Sequence, residues 1–151
     1  MIEYRVESLD TCLDEMKPLL HKHYLEVALY QDKIEFNPDY DKYYTMEDMG
    51  MLHIVTVRDD DKLIGYFISM INENIHYSDH TYALNDVLYI DEDYRNSGIG
   101  QTMFDYAEAQ LQNLGVSVII IHMKTEKPFD TLCENLDYDY AERIYTKYIG
   151  S

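Results

Sequence analysis

Apolar and polar residues alternate from Ile2 to Val6, which predicts a short strand. The period then changes. Leu9, Leu13, Met16, Leu20, Tyr24 and Val27 recur at three- and four-residue intervals and predict a helix. Ser8 or Asp10 can cap its start, and Pro18 is expected to kink or divide it. Asn37-Pro38-Asp39 predicts a turn and the start of a second, polar helix over residues 41–49, closed by Gly50. Residues 51–58 alternate again, with Val55 and Val57 on one face and Ile54 and Thr56 on the other. Asp59-Asp60-Asp61-Lys62 predicts a hairpin turn. Residues 63–71 return as a strand apolar on both faces, hence central. A polar loop with His76 and Tyr77 follows, then a long strand over 81–90. Met103, Phe104, Ala107, Leu111 and Leu114 form one face of a helix over 100–114, which Gly115 stops. Val116 to His122 is a β-branched run typical of a buried parallel strand. Pro128 suits the first turn of a further helix with Phe129, Leu132, Cys133 and Leu136 on its apolar face. Residues 140–149 are expected to close the chain as a strand.

The predicted order is β-α-α-β-β-β-α-β-α-β. An antiparallel meander is followed by a crossover helix and a parallel neighbour, the crossover being right-handed. This is an α/β fold: one domain over residues 1–151, with a mixed, mostly antiparallel sheet and helices on both faces. The hydrophobic share of 46% supports a packed core despite the charge. No apolar run approaches the roughly 20 residues that span a membrane, and the first residues lack the basic start and apolar core of a signal peptide. The expectation is a soluble cytoplasmic protein. Cys12 and Cys133 are expected to be reduced thiols. His21 and His23 lie two apart, on different faces of a helix, and no zinc-type spacing occurs, so no metal is expected. The 12 basic and 29 acidic residues give a formal charge of −17. Such a field repels nucleic acid and favours cationic partners, although acidic surfaces also serve solubility alone.

The strongest chemical signal is Tyr94-Arg95-Asn96-Ser97-Gly98-Ile99-Gly100. It joins the apolar run Val87-Leu88-Tyr89-Ile90 to the start of a helix. Free N–H groups and the helix dipole at such a junction attract anions. Gly98 and Gly100 allow a close main-chain approach, and Arg95 adds a cation at the same mouth. A pyrophosphate fits this site. A dinucleotide-binding GxGxxG and a P-loop lysine are both absent.

Arg95-Asn96-Ser97-Gly98-Ile99-Gly100 resembles the Arg/Gln-x-x-Gly-x-Gly/Ala signature of the GNAT N-acetyltransferase superfamily. The run-in Leu88-Tyr89-Ile90-Asp91-Glu92-Asp93-Tyr94 and the order of elements resemble that family over nearly the whole chain. Residues from His23-Tyr24 to Met49-Gly50-Met51 also look similar to phage-encoded members. The resemblance implies transfer of acetyl from acetyl-CoA, a co-substrate, directly to an amine. It implies that the backbone of Arg95, Asn96, Ser97, Gly98, Ile99 and Gly100 holds the pyrophosphate. Leu88, Tyr89 and Ile90 would pair with the pantetheine arm like an added strand. The strands on either side of the arm would splay, and a main-chain N–H would polarise the acetyl carbonyl.

Aligned on the run-in, Asp86 matches a position where some members carry a glutamate base. A carboxylate half-buried in a strand has the raised pKa a base needs, although a structural or substrate-orienting Asp is the competing reading. The family often carries an acidic Tyr in Phe-Tyr-x-x-Leu-Gly-Phe. Here Leu132-Cys133-Glu134-Asn135-Leu136-Asp137-Tyr138 stands in its place. Cys133 occupies the Tyr position but lies on an apolar face, where a thiol usually packs. Tyr138, Tyr140 and water are the other candidate acids. Tyr30, Tyr40, Tyr43 and Tyr44 with Glu35, Asp39 and Asp41 can line a pocket for a cationic acceptor; the competing reading is that the tyrosines pack and the acids face water. The acceptor is a protein lysine or N-terminus, a polyamine or a cationic small molecule. A homodimer is left open. The alternative is an acidic binding protein on the same scaffold, engaging a basic partner or mimicking nucleic acid.

Overall fold

The computed structural model describes all residues from Met1 to Ser151. The elements are β1 (Ile2–Val6), α1 (Leu9–Val27), α2 (Tyr40–Asp48), β2 (Leu52–Asp59), β3 (Lys62–Glu73), β4 (Thr81–Ile90), α3 (Ile99–Asn113), β5 (Val116–Ile120) and α4 (Asp130–Asn135), with a single 3-10 turn at Glu92–Tyr94. All five strands form one sheet in the order β1-β2-β3-β4-β5. The first four pair antiparallel, and β5 lies parallel to β4. No helix is long and apolar enough to cross a membrane.

The period-2 pattern sorts the strands into two faces. Val55, Val57, Phe67 and Ala83 pack beneath Met103, Phe104, Ala107 and Leu111 of α3, with Phe129 and Leu132 beside them. Ile54, Tyr66, Ile68 and Tyr89 face the other way, against Leu9, Cys12, Leu13 and Met16 of α1 and Tyr40, Tyr43 and Tyr44 of α2. The hairpin between β2 and β3 is tight. Asp60 and Asp61 both adopt left-handed backbone (φ 47° and 71°), as the two central residues of a type I′ turn must.

α1 continues through Pro18. The ring sits on the exposed side, so the buried side chains keep their spacing around it. Its start is capped from another helix: Ser8 makes no side-chain cap, and Leu9 N donates instead to Glu47 at 2.8 Å. Beside this corner Arg58 is buried, 4% exposed. It donates to Glu7 (2.8 and 3.1 Å), Glu15 (3.0 Å) and the Asp61 carbonyl (2.6 Å). These bonds pin β2 to the start of α1.

The expected strand over 140–149 does not form, and β5 stops at Ile120 rather than His122. Ile144, Tyr145 and Ile149 stay exposed, so the last segment buries no apolar face against the sheet. The segment crosses instead to the loop between α1 and α2. Tyr30 pairs with Thr146 at 3.1 Å and lies 6.0 Å from the Tyr148 ring. Lys33 sits over Tyr148 at 5.3 Å.

Candidate functional site

β4 and β5 pair from Thr81 and Val116 to Leu84 and Ile120, and no further. β4 runs on to Ile90. From Asn85 onward its outer edge has no strand beside it, although the opposite edge stays paired with β3. An extended backbone with open N–H and C=O groups is a template for another extended chain. Leu88, Tyr89 and Ile90 lie on this edge, with the Ile90 carbonyl already accepting from Arg95 Nε. Past Ile90 and the 3-10 turn the chain reaches the start of α3.

There the backbone N–H groups of Asn96 to Gln101 make no hydrogen bond within the protein. Arg95 N bonds to Glu92 O (3.4 Å), and the next donor with a partner is Thr102, on Gly98 O at 3.2 Å. Asn96 and Gly98 take left-handed backbone (φ 60° and 84°), turning the free donors outward ahead of a 15-residue helix. The two glycines differ in role. A Cβ on Gly98 would stand in open space, whereas one on Gly100 would meet Ile90 and Leu132 side chains at 3.5 Å. Gly98 therefore borders open space, and Gly100 sits where α3 packs on β4 and α4 with room for a methyl group at ordinary contact distance.

Arg95 departs from expectation. Its guanidinium does not project into the mouth: Nε donates to Ile90 O at 2.7 Å, and Nη2 forks onto both oxygens of Glu26 at 3.1 Å. It also lies 5.4 Å from the Tyr89 ring, which stands 5.5 Å from His23 and stacks on Tyr66 at 5.6 Å. Arg95 is a strut between α1 and the signature turn. Glu26 carried no local signal, being 69 residues away in sequence.

Asp86 lies where β4 departs from its register. Ile68 pairs with Val87 and Ser69 with Asn85, so Asp86 is the extra residue of a bulge. The buried Asn85 side chain fills the irregularity by donating to Ile68 O (3.2 Å) and Val87 O (3.3 Å). The bulge turns Asp86 towards α2, where the Tyr43 hydroxyl donates to its carboxylate. Burial pushes the Asp86 pKa up, and the Tyr43 hydrogen bond opposes only part of that rise.

Cys133 and Tyr138 sit together on the α3 and α4 side. Cys133 is buried, and burial raises its thiol pKa. Tyr138 stands edge-on to Phe104 at 6.0 Å, its hydroxyl buried and its pKa raised by burial and by Glu108. Tyr140 is 76% exposed. The expected acceptor pocket is dispersed. Tyr43 reaches Asp86, Tyr40 receives Lys17 over its ring at 4.9 Å, and Tyr30 contacts the C-terminal segment. Asp39 caps α2 by accepting from Lys42 N at 3.0 Å. Glu35 lines a separate cavity of about 470 Å³ with His21, Tyr24 and Phe36. No group of three or more His, Cys, Asp or Glu is arranged to hold a metal ion.

Residues 13–131 match the model of the acetyltransferase (GNAT) family. No curated protein sequence matches the chain significantly. Several solved structures share its fold. Glucosamine-6-phosphate N-acetyltransferase from Arabidopsis thaliana superposes with a TM-score of 0.75 at 11% identity, covering 99% of each chain. Ribosomal-protein-alanine N-acetyltransferase from Brucella melitensis biovar Abortus 2308 gives 0.74 at 17% identity, covering 99% of this chain and 100% of its own. A predicted acetyltransferase with acetyl-CoA from Clostridium acetobutylicum gives 0.73 at 12% identity, covering 99% and 97%. The family match spans most of the chain, including the signature turn, the open β4 edge and Asp86, and the chain therefore belongs to the acetyltransferase (GNAT) family.

Proposed function

We propose that this enzyme transfers acetyl from acetyl-CoA directly to a primary amine of a cationic acceptor. One observation carries the reading: the outer edge of β4, unpaired from Asn85 onward and carrying Asp86 at its bulge, runs towards the free N–H groups before α3. Backbone donors from Asn96 to Gln101 suit a pyrophosphate. The edge at Leu88, Tyr89 and Ile90 suits the amide-bearing arm of the same molecule. Acetyl-CoA supplies an activated thioester, so that one nitrogen–carbon bond forms as one carbon–sulfur bond breaks. A main-chain N–H on the β4 edge polarises the carbonyl.

Asp86 acts as the base. A primary amine arrives protonated near neutral pH and must lose that proton, directly or through water, before it attacks. A carboxylate with a raised pKa, on the unpaired β4 edge of an acidic protein, attracts the cation and then accepts its proton. Tyr138, held protonated by burial, is assigned to protonating the departing thiolate. Cys133 is assigned to packing.

The test is thiol release from acetyl-CoA with a panel of acceptors: spermidine, glucosamine 6-phosphate, a peptide with N-terminal alanine and a lysine-rich peptide. Asp86→Asn should abolish most turnover while acetyl-CoA still binds, because the co-substrate is held by backbone groups. Wild-type turnover in Asp86→Asn overturns the base assignment. Tyr138→Phe decides between Tyr138 and water as the acid.

A further inference from the structure

Asp86 is held by one side chain. The bulge removes it from the register of β4, and Asn85 satisfies the backbone around it without touching its carboxylate. Tyr43 alone donates a side-chain hydrogen bond to the carboxylate. Tyr43 comes from α2, and with Tyr40 and Tyr44 it is partly buried against the core between the sheet and α1. The other titratable groups on this side are Tyr66 of β3, Tyr89 of β4, Tyr40 of α2, and Glu26 and His23 of α1. No cation is among the influences on Asp86: burial favours its neutral form, and the Tyr43 hydroxyl favours its ionised form. Glu26 is already engaged by Arg95. Tyr43 itself stays protonated, its pKa raised by burial and by Asp86. It is therefore a permanent donor aimed at one acceptor.

We propose that Tyr43 is a positioning residue for catalysis: its hydroxyl fixes the Asp86 carboxylate at the bulge and keeps it ready to take the acceptor's proton. The proposal rests on the reading of Asp86 as the base. It gives α2 a catalytic task. A shift of that helix on acceptor binding would change the hydrogen bond and so the basicity of Asp86.

The consequence is a pH effect that a packing role does not produce. Without the donor, the ionised form of Asp86 loses stabilisation and its pKa rises. The shift is on the order of one unit, the scale of a lost charge-assisted hydrogen bond. The acidic limb of kcat/KM then moves to higher pH. Tyr43→Phe keeps the ring and removes only the hydroxyl. Two readouts are needed, with folding checked by circular dichroism and Tm. The first is the pH profile of thiol release with the best acceptor of the panel. The second needs no acceptor: the ¹³C carboxyl resonance of Asp86, identified by its loss in Asp86→Asn, is titrated in both proteins. In Tyr43→Phe both midpoints should move up together, and the rate loss should be largest on the acidic limb. Difluorotyrosine at position 43, a stronger donor of similar shape, should move both midpoints down. Tyr43→Phe/Asp86→Asn should be no slower than Asp86→Asn.

Unmoved midpoints in both Tyr43 variants, while Asp86→Asn still loses its acidic limb, overturn the role of Tyr43 and leave Asp86 as the base. Multiplying losses in the double variant also overturn it, because Tyr43 would then act apart from Asp86. A wild-type profile in Asp86→Asn removes the base reading and the positioning role together.

Discussion

Replacing Gly98 by alanine separates backbone strain from ligand contact. Gly98 has φ 84°, and a Cβ there meets nothing within 4 Å. No steric cost arises, only that of a left-handed L residue, about 1–2 kcal/mol. For a chain of this length each kcal/mol lowers Tm by about 2–4 °C, so Gly98→Ala should melt about 2–8 °C lower without ligand. The second effect is on binding. Acetyl-CoA at about one hundred times its Kd stabilises the wild type by about 2.7 kcal/mol, a rise of roughly 5–10 °C. The methyl group occupies the space that a phosphate must enter to reach the free N–H groups, so the variant should lose most of this rise. Gly100→Ala is the control. Its Cβ meets Ile90 and Leu132 at ordinary contact distance, so Tm and the ligand shift should both persist. The assay is differential scanning fluorimetry with and without acetyl-CoA. A full ligand shift in Gly98→Ala refutes the placement of the pyrophosphate at this turn.

Three further outcomes are expected. His53 is buried, and burial lowers its pKa below the usual 6.5. The unfolded chain therefore binds a proton that the folded one refuses, so stability is full above about pH 6.5 and declines as pH falls towards the folded pKa. Denaturant melts at pH 7.5 and 5.5 should show this decline shrinking in His53→Leu, and an unchanged decline contradicts it. Cys133→Ala should lower stability by about 1 kcal/mol and leave turnover nearly unchanged; a hundredfold loss with folding intact would make the thiol the proton donor. KM for the true acceptor should rise with salt while kcat holds, because attraction to a surface of charge −17 is screened beyond about 8 Å at physiological ionic strength. A salt-independent KM leaves the acidic surface to solubility.

The sequence showed most of the sheet and nearly all of the signature turn, because both rest on local patterns. Alternation at Leu52–Asp59 and the glycine turn after Ile90 are read within a few residues. Four features were not legible. The last segment carried enough apolar residues to suggest a strand, but its course is set by remote partners, Tyr30 and Lys33. Arg95 read as a ligand for phosphate because its partner Glu26 is remote in sequence. Tyr43 stood among many tyrosines, and only the bulge at Asp86, set by strand register, selects it. Asn85 has the same cause: a buried amide whose task is to mend that bulge.

The most direct test is mass spectrometry of the acceptor panel after incubation with acetyl-CoA and the wild-type enzyme. A gain of one acetyl group on a primary amine, matched by one free thiol and lost in Asp86→Asn, is the predicted result. Acetyl-CoA binding with no acetylated amine across the panel, together with tight capture of a basic protein, would contradict it and favour a binding protein built on this scaffold.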